Sequence, residues 1–155
     1  MVDSNFSIAV RFGGSAVYLS EIDLPFFAAS RWYVNGGYLK QSGTDRLFHR
    51  LVMGDPDGLL VDHISGQPLD NRRQNLRECS HSQNMQNRKT HKNNALGVKG
   101  VYAEYHKRVK GVRYVAQIRA YGRKIVLGRF NSIEDAAAAY RVAADRLHGE
   151  FARLS

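Results

Sequence analysis

The feature that most constrains the fold is a change in the spacing of apolar residues near residue 132. Before it, apolar and polar residues alternate in three segments, as they do in strands: 98–105, 113–121 and 124–130. After it, Ser132 is placed to cap a helix, with Asp135 three residues on and Gly149 as its end. The apolar stripe of this helix is mostly alanine, so the helix can lie close on a sheet. The pattern predicts a three-stranded antiparallel sheet packed on one helix.

The alternation also assigns faces to the middle strand. Tyr114, Ala116 and Ile118 are predicted to face the helix, while the polar residues between them face away. That outward face is basic, and the surrounding charge is concentrated in the same region. Residues 88–131 hold 12 Lys or Arg and a single acid, whereas the net charge of the whole chain is +9. Because tyrosines are interleaved with these cations, we expect a nucleic acid as partner. A membrane surface is the rival, but no basic amphipathic helix supports it.

Composition excludes several classes of protein. A single cysteine, Cys79, rules out an internal disulfide and a multi-cysteine zinc site, and favours a reducing, cytosolic compartment. No apolar run approaches the ~20 residues of a transmembrane helix. The first residues lack a basic segment followed by an apolar block, so no secretory signal is predicted. The first 53 residues predict strands in 6–19, a helix at 21–30 capped by Ser20, a hairpin at 32–40, and a helix at 47–53.

A second pattern carries the chemistry. Asp62 and His63 are adjacent, Asn75 follows the histidine by 12 positions, and Asn84 follows Asn75 by 9. The local signals around them are a strand ending at His63, an extended piece at 75–77, and a helix that starts with a Ser80–Gln83 capping box. If that helix runs to about Thr90, then Asn84, Asn87 and Arg88 share one of its faces. This strand–strand–helix unit is too small to be stable alone, so it needs the N-terminal strands packed on it.

These residue types suit the hydrolysis of a phosphodiester by one hard divalent ion. Asp62 and Asn84 offer the oxygen ligands that such an ion prefers, and few protein ligands leave room for phosphate oxygens. His63 can take a proton from water at neutral pH, and Asn75 can accept a hydrogen bond from its other ring nitrogen. Neighbouring residues on a strand point to opposite faces, so the strand must end or twist at this pair. His49 is assigned either a role in this site or a structural or phosphate-contacting role.

Residues 47–88 resemble the HNH endonucleases of the phage and intron homing type. The matching segments are Leu47–Met53, Val61-Asp62-His63-Ile64, Asp70–Arg77 and Gln83-Asn84. The resemblance implies a ββα-metal (His-Me finger) fold with His63 as general base, Asp62 and Asn84 as metal ligands, and Asn75 holding the site together. The three residues that correspond to the letters of the family name are here His63, Asn75 and Asn84. An asparagine in the third place favours Mg²⁺ or Mn²⁺ over zinc.

Residues 97–154 resemble the ethylene-response-factor (APETALA-two) DNA-binding domain. The matching segments are Gly97–Tyr102, Tyr114–Arg119, Leu127–Phe130, Glu134–Ala137 and Ala143-Ala144 through Gly149-Glu150. The resemblance implies a sheet that lies in the major groove of DNA. The residues expected to face DNA are Lys99, Tyr102, Arg113, Gln117, Arg119 and Lys124. The tryptophans that the family carries on this face are absent, so no target sequence follows.

Together these observations predict an α+β protein in two parts. Residues 1–90 form an HNH nuclease domain with its ββα core at about 58–90, residues 91–96 form a linker, and residues 97–155 form the sheet-plus-helix DNA-binding domain. The predicted activity is metal-dependent cleavage of double-stranded DNA by a monomer, with a dimer left open, in the cytoplasm of a bacterial or phage-infected cell. One catalytic unit per chain predicts nicking. The alternatives are a non-catalytic DNA-binding regulator with a degenerate nuclease unit, and an RNA-associated structural protein.

Overall fold

The computed structural model describes residues 7–90, 93–105 and 111–154. These residues form a mixed α/β fold in which several small sheets are combined with short helices and one long one. The chain divides into two compact units, Met1–Asn84 and Met85–Ser155. The finer division predicted from the sequence, with a linker at 91–96, stays a prediction, and residues 91 and 92 of it lie outside the described residues.

The N-terminal unit begins with an antiparallel hairpin of β1 (Ser7–Phe12) and β2 (Ser15–Ser20). A short 3₁₀ turn then leads into α1 (Leu24–Ala28). The prediction that Ser20 caps a helix here is wrong, because Ser20 makes no side-chain cap. Its hydroxyl instead accepts a hydrogen bond from the backbone N–H of Arg73, 53 residues away, at 2.9 Å. A capping serine and a serine that anchors a distant loop cannot be distinguished from local sequence.

The core of this unit is built from alternate residues of several short elements. β3 (Trp32–Asn35) and β4 (Tyr38–Gln41) form the predicted hairpin, and α2 (Phe48–Val52) follows. The ring of Trp32 meets that of Phe48 edge-on, with 4.9 Å between the centroids. The other buried members of the core are Val17, Leu19, Leu39, Val52, Val61 and Leu76. The strands around the candidate site therefore share a core with the N-terminal hairpin, as the small size of the site unit requires.

The segment with the predicted chemistry forms two paired strands and a helix. β5 (Leu60–His63) pairs antiparallel with β7 (Leu76–Cys79), and the two-residue β6 (Asp70–Asn71) between them pairs parallel with β2. α3 (His81–Gln86) begins with the predicted capping box: the N–H of Ser80 donates to Gln83 Oε1 at 2.8 Å, and the N–H of Gln83 donates to Ser80 Oγ at 3.2 Å.

α3 is shorter than predicted, since it ends at Gln86 and not near Thr90. The ammonium of Lys99 explains the end, because it donates to the carbonyl oxygens of Gln86 at 2.6 Å and Arg88 at 2.7 Å. A cation at the last carbonyls of a helix satisfies acceptors that a longer helix would have used. The predicted placement of Asn87 and Arg88 on one helix face with Asn84 is therefore wrong.

The C-terminal unit contains the predicted three-stranded sheet and helix. β8 (Val101–Tyr105), β9 (Val112–Ala120) and β10 (Arg123–Phe130) are antiparallel with β9 in the centre, and α4 (Ile133–His148) packs on them. The predicted join between the first two strands falls mostly on residues 106–110, outside the described residues. The buried core is Val101, Ala116, Ile118, Ala136, Tyr140 and Ala144.

Local signals set the ends of α4 as expected. Ser132 caps the helix by accepting from the N–H of Asp135 at 3.1 Å, and Gly149 follows the last residue with φ of +52°. Gly100, just before β8, is required because the backbone there lies close to α4. A Cβ there would lie 2.1 Å from Tyr140 Cε2 and 2.6 Å from the carbonyl oxygen of Gln117, so only glycine lets the chain pass α4 so closely.

Candidate active site

The imidazole of His63 lies at the last position of β5, inside a polar cluster. Its side chain is buried, and Nε2 lies 3.4 Å from Oδ1 of Asn71. Its ring also packs edge-on against His49, with 4.6 Å between the centroids, and lies 6.2 Å from the ring of Tyr38. Burial lowers the pKa of His63 below its ordinary value of 6.5, although the bond to Asn71 and the charges of Asp62 and Asp70 oppose this. His63 is therefore neutral at pH 7, as a proton acceptor must be.

His49 is brought beside His63 by α2, although the two residues are separated by 14 positions. Its side chain is 4% exposed, and its Nδ1 is buried with no hydrogen-bond partner among the described residues. Burial, followed by the charges of His63 and Arg50, lowers the pKa of His49 to about 3. His49 is thus an uncharged wall of the cluster, and the structure favours its placement at the site over a role as a surface contact.

Asn75 holds the loop between β5 and β7 together. Its Oδ1 accepts from the backbone N–H of Ser65 at 2.9 Å, and its Nδ2 donates to the carbonyl oxygen of Asp70 at 2.7 Å. Both ends of the side-chain amide therefore bind backbone. The described contact to His63 Nε2 comes from Asn71, and the orientation of the imidazole by Asn75 stays a prediction. Asn75 acts one step further back, by fixing the loop that carries Asn71.

Asn71 was missed by the sequence analysis, although its side chain is fully buried. In the sequence it lies in a polar stretch that is typical of a turn, and nothing in that stretch distinguishes it from its neighbours. The structure buries it because β6 pairs with β2, opposite Leu19. The following turn is anchored in turn by the buried carboxylate of Asp23, which accepts from Arg73 Nη2 at 2.7 Å and Nε at 3.0 Å.

Asp62 points away from the cluster around His63, toward its cross-strand neighbour. Asp62 Oδ2 accepts from Arg77 Nη2 at 3.1 Å and Nε at 3.3 Å, and both side chains are about nine-tenths buried. The strand ends at His63, and Gly66, at φ of +64°, lies in the turn that follows. Asp62 and His63 both keep regular antiparallel pairing, with Arg77 and Leu76, so the predicted break comes after the pair and not between its members.

The donors predicted to bind a metal are one carboxylate and one amide oxygen. Asn84 lies in the middle of α3, half-buried, in the same unit as Asp62. Within residues 7–90, 93–105 and 111–154, no group of three or more His, Cys, Asp or Glu is positioned to hold a metal ion. A hard cation that keeps most of its waters needs only one or two carboxylates from the protein, so Asp62 and Asn84 fit its chemistry. The guanidinium of Arg77 already supplies a positive charge at Asp62, and a metal would have to share that carboxylate.

Five of the six residues predicted to contact DNA share the outward face of the C-terminal sheet. Arg113, Gln117 and Arg119 alternate on β9 with residues of the core, and the strand register places Tyr102 and Lys124 on the same face. Arg119 and Lys124 are cross-strand partners and are both exposed. Arg129 belongs to this face as well, where its Nε donates to Glu104 Oε2 at 2.8 Å. The sequence analysis did not select it.

The sixth residue, Lys99, is placed differently. It precedes β8, its side chain is about half-buried, and its ammonium binds the carbonyl oxygens of Gln86, the last residue of α3, and of Arg88. Burial, with a smaller contribution from the charge of Arg153, lowers the pKa of Lys99 to about 8. The expectation that Lys99 contacts DNA stays a prediction, while its ammonium is engaged by backbone carbonyls of its own unit. Of the other residues considered from the sequence, Asn87 is buried and Arg88 is exposed, and both follow α3.

Comparison with known proteins agrees with the geometry of the N-terminal unit. Residues 46–86 match the HNH endonuclease family model. The chain is 33% identical over 100 residues to protein 3.8 of Escherichia phage T7, an alignment that covers 64% of this chain and 78% of that protein. It is 28% identical over 155 residues to an uncharacterized HNH endonuclease, L560, of Acanthamoeba polyphaga mimivirus, covering 95% of this chain and 78% of the relative. No solved structure matches.

The segment that contains β5 to α3 is thus an HNH endonuclease domain, which indicates a nuclease that acts on nucleic acid. The chain belongs to the same family as protein 3.8 of phage T7. Among the helices of the described residues, none is both long and apolar enough to cross a membrane.

Proposed function

We propose that this chain is a metal-dependent endonuclease of the HNH homing type that hydrolyses phosphodiester bonds in double-stranded DNA. The observation that carries the proposal is the neutral imidazole of His63 at the end of β5. It contacts the buried side chain of Asn71, and both residues lie in the segment that matches the HNH family. A single such domain in each chain makes nicking of one strand the expected outcome, with the chain acting as a monomer. The phage and viral relatives favour the cytoplasm of an infected or bacterial cell as the location.

His63 acts as the general base. With the amide oxygen of Asn71 turned toward the ring, as it is here, Nε2 carries the proton and donates to it. The lone pair then lies on Nδ1, which takes the proton of the attacking water. Asn75 has a supporting role, because it fixes the backbone on both sides of the loop that joins His63 to Asn71.

Asp62 and Asn84 would hold one Mg²⁺ or Mn²⁺. When bound, such an ion polarises the phosphate and stabilises the negative charge on the leaving oxygen. The products would carry a 5′-phosphate and a 3′-hydroxyl. Asp62 lies against Arg77 and His63 against Asn71, so the ion and the base would have to meet the same phosphate around the end of β5.

The C-terminal unit supplies most of the affinity for DNA in this proposal. The resemblance of this segment to the ethylene-response-factor domain implies that its sheet would enter the major groove. Tyr102, Arg113, Gln117, Arg119 and Lys124 would contact DNA there, the cations through phosphates and the others through bases or sugars. An outward face on which cations stand together on neighbouring strands suits the spacing of backbone phosphates.

The decisive experiment is relaxation of a supercoiled plasmid by the full chain with Mg²⁺. We expect the parent protein to convert supercoiled to nicked DNA, and EDTA and His63→Ala to abolish the conversion. His81→Ala is the matched control, because His81 is an exposed histidine of α3 and should leave the rate unchanged. If His63→Ala cuts as fast as the parent, the mechanism is wrong. Tight DNA binding without cleavage under any divalent ion would favour the non-catalytic regulator instead.

A further inference from the structure

A cleft of about 520 Å³ opens beside the loop that follows His63. Its lining includes Ala16 and Tyr18 of β2, Gly37 of the β3–β4 turn, and Ser65, Asp70 and Arg72 of the segment between β5 and β7. All of these residues belong to the N-terminal unit. The volume lies within the range of about 300–1,000 Å³ that is typical of sites for small molecules and nucleotides.

The ring of Tyr18 forms one wall of this cleft. Val17 and Leu19 on either side of it are fully buried in the core, so the alternation of β2 directs Tyr18 outward, where 42% of it is exposed. The guanidinium of Arg72 lies 5.7 Å from the ring centroid. The guanidinium lies over one face of the ring, and aromatic rings and guanidinium planes are both surfaces on which nucleic-acid bases stack.

The charge at the cleft is balanced. Arg72 donates from Nε and Nη2 to the two carboxylate oxygens of Asp70, at 2.7 Å each. The guanidinium beside Asp70 also lowers the pKa of that carboxyl, so the pair stays ionised and its net charge is zero. A phosphate gains little from a cation that is already paired. An uncharged, flat group with hydrogen-bonding edges can both stack on the ring of Tyr18 and form hydrogen bonds with the polar atoms of the Asp70–Arg72 pair.

The cleft and the candidate catalytic base are fixed by the same residue. The side chain of Asn75 binds the backbone of Ser65 and of Asp70, which both line the cleft, and Ser65 is two residues after His63. The opposite wall is tied to the same loop, because the N–H of Tyr18 donates to the carbonyl oxygen of Leu69 at 2.9 Å. A ligand seated in the cleft would therefore have a fixed position relative to the loop of His63.

We propose that this cleft binds the base of a deoxynucleotide next to the bond that is cut, with Tyr18 and Arg72 as the stacking surface and Asp70 as an acceptor for base amino groups. The proposal rests on the endonuclease function only for the identity of the natural ligand. A base paired within a duplex is not available for such stacking, so the nucleotide would be drawn out of its stack or lie at a strand end. The cleft would then determine where the backbone lies, and so which phosphate reaches His63.

The first test uses NMR spectra of the full chain with ¹³C-labelled tyrosine rings, in the absence of a divalent ion, with dAMP as probe. The signal of Tyr18 is assigned by its loss in Tyr18→Phe. We expect dAMP to shift the Tyr18 signal and leave that of Tyr33, whose hydroxyl bonds Asp45 in another part of the same unit. Inorganic phosphate should leave both unchanged. A shift by phosphate equal to that by dAMP, or no shift by dAMP, would overturn the proposal.

The second test compares cleavage by Tyr18→Ala, Tyr18→Phe and the control Tyr33→Ala. Loss of one stacked base typically weakens binding roughly 5- to 150-fold, so we expect Tyr18→Ala to raise KM by that factor with kcat less affected. Tyr18→Phe keeps the ring and should retain most of the affinity. If Tyr18→Ala and Tyr33→Ala have the same KM, the cleft does not bind substrate.

The two proposals fail in different ways. Should dAMP shift the Tyr18 signal while no DNA is cut by the parent, the cleft stands and the endonuclease mechanism is refuted. Should cleavage depend on His63 but not on Tyr18, with no dAMP shift, the mechanism stands and the base site is refuted. His63→Ala, which cannot turn over substrate, should still show the dAMP shift.

Discussion

The two units handle polar residues in opposite ways. The N-terminal unit buries Ser20, Asp23, His49, Asp62, His63, Asn71 and Asn75, whereas the described part of the C-terminal unit buries Asn87 beside an otherwise apolar core and has its cations on an exposed sheet face. A buried polar group costs several kcal/mol unless it is hydrogen-bonded, so each of these residues needs a partner in a fixed place. Exposed cations need no such partners. Substitutions in the first unit should therefore alter rate and stability, and those on the sheet should alter affinity and its dependence on salt.

The largest expected effect is that of His63→Ala on cleavage. A general base contributes roughly 10²- to 10⁴-fold to the rate, and the loss should appear in kcat because His63 and the basic sheet belong to different units. Initial rates of plasmid nicking, with gel-shift affinity for the same DNA, measure the two separately. An equal loss of affinity would show that the division of tasks between the units is wrong.

Asn71→Ala should slow cleavage by roughly 10- to 100-fold, the range seen when a residue that orients a catalytic ligand is removed. The side chain is fully buried, so the free energy of unfolding should also fall by about 1–3 kcal/mol. Asn71→Asp keeps an oxygen acceptor for His63 Nε2 and should recover part of the rate. A comparison of kcat and KM for the two variants tests this, and equal rates for both would refute the orienting role.

Gly100→Ala should destabilise the C-terminal unit by about 1–3 kcal/mol, because its Cβ would overlap Tyr140 and the carbonyl oxygen of Gln117. DNA affinity should fall with it. Unfolding followed by the fluorescence of Trp32, the single tryptophan, should not change, since Trp32 lies in the N-terminal core. Gly122→Ala is the matched control: its φ is similarly positive, at +71°, but nothing lies within 4 Å of the added Cβ. If the two substitutions lower the free energy of unfolding equally, the cause is backbone strain at a positive φ and not overlap of the Cβ with Tyr140.

Acid should destabilise the N-terminal unit from about pH 6.5 downward. The unfolded chain binds a proton at His49 below that pH, while folded His49 stays neutral until about pH 3. The contribution is thus lost progressively as the pH falls through this window, at about 1.4 kcal/mol per pH unit. Urea unfolding monitored by Trp32 fluorescence between pH 7 and pH 5 measures the slope, which His49→Leu should flatten and His81→Ala should not. If the free energy of unfolding of His49→Leu depends on pH as steeply as that of the parent, another group is responsible for the loss of stability, and His63 is the first to test.

The smallest effect should be that of single cations on the salt dependence of DNA binding. Arg119→Gln should reduce the slope of log affinity against log salt by about 0.9 if the residue neutralises one phosphate. Lys99→Met should leave the slope unchanged, because its ammonium is occupied by the carbonyl oxygens of Gln86 and Arg88. Gel-shift titrations at several salt concentrations give both slopes. A reduced slope for Lys99→Met would restore Lys99 to the DNA-binding face.

Much of the fold follows from interactions between residues close in the chain. The capping box at Ser80, the N-cap at Ser132, the hairpin turn at Gly36-Gly37 and the alternation along β9 each act over a few residues, so their outcome could be predicted from the sequence. The end of α3 could not, because Lys99 satisfies its last carbonyls from 11 to 13 positions away.

The sequence by itself determined which residues could perform the chemistry: a carboxylate and histidine in tandem, two asparagines at set spacing, and a basic segment interleaved with tyrosines. Only the tertiary structure decided how they are used. It placed Asn71 against the imidazole, brought His49 beside it, turned Asp62 toward Arg77, and joined Ser20 to Arg73 across 53 residues. Buried polar groups take whichever partner the packing of distant strands provides, and that packing depends on many residues at once.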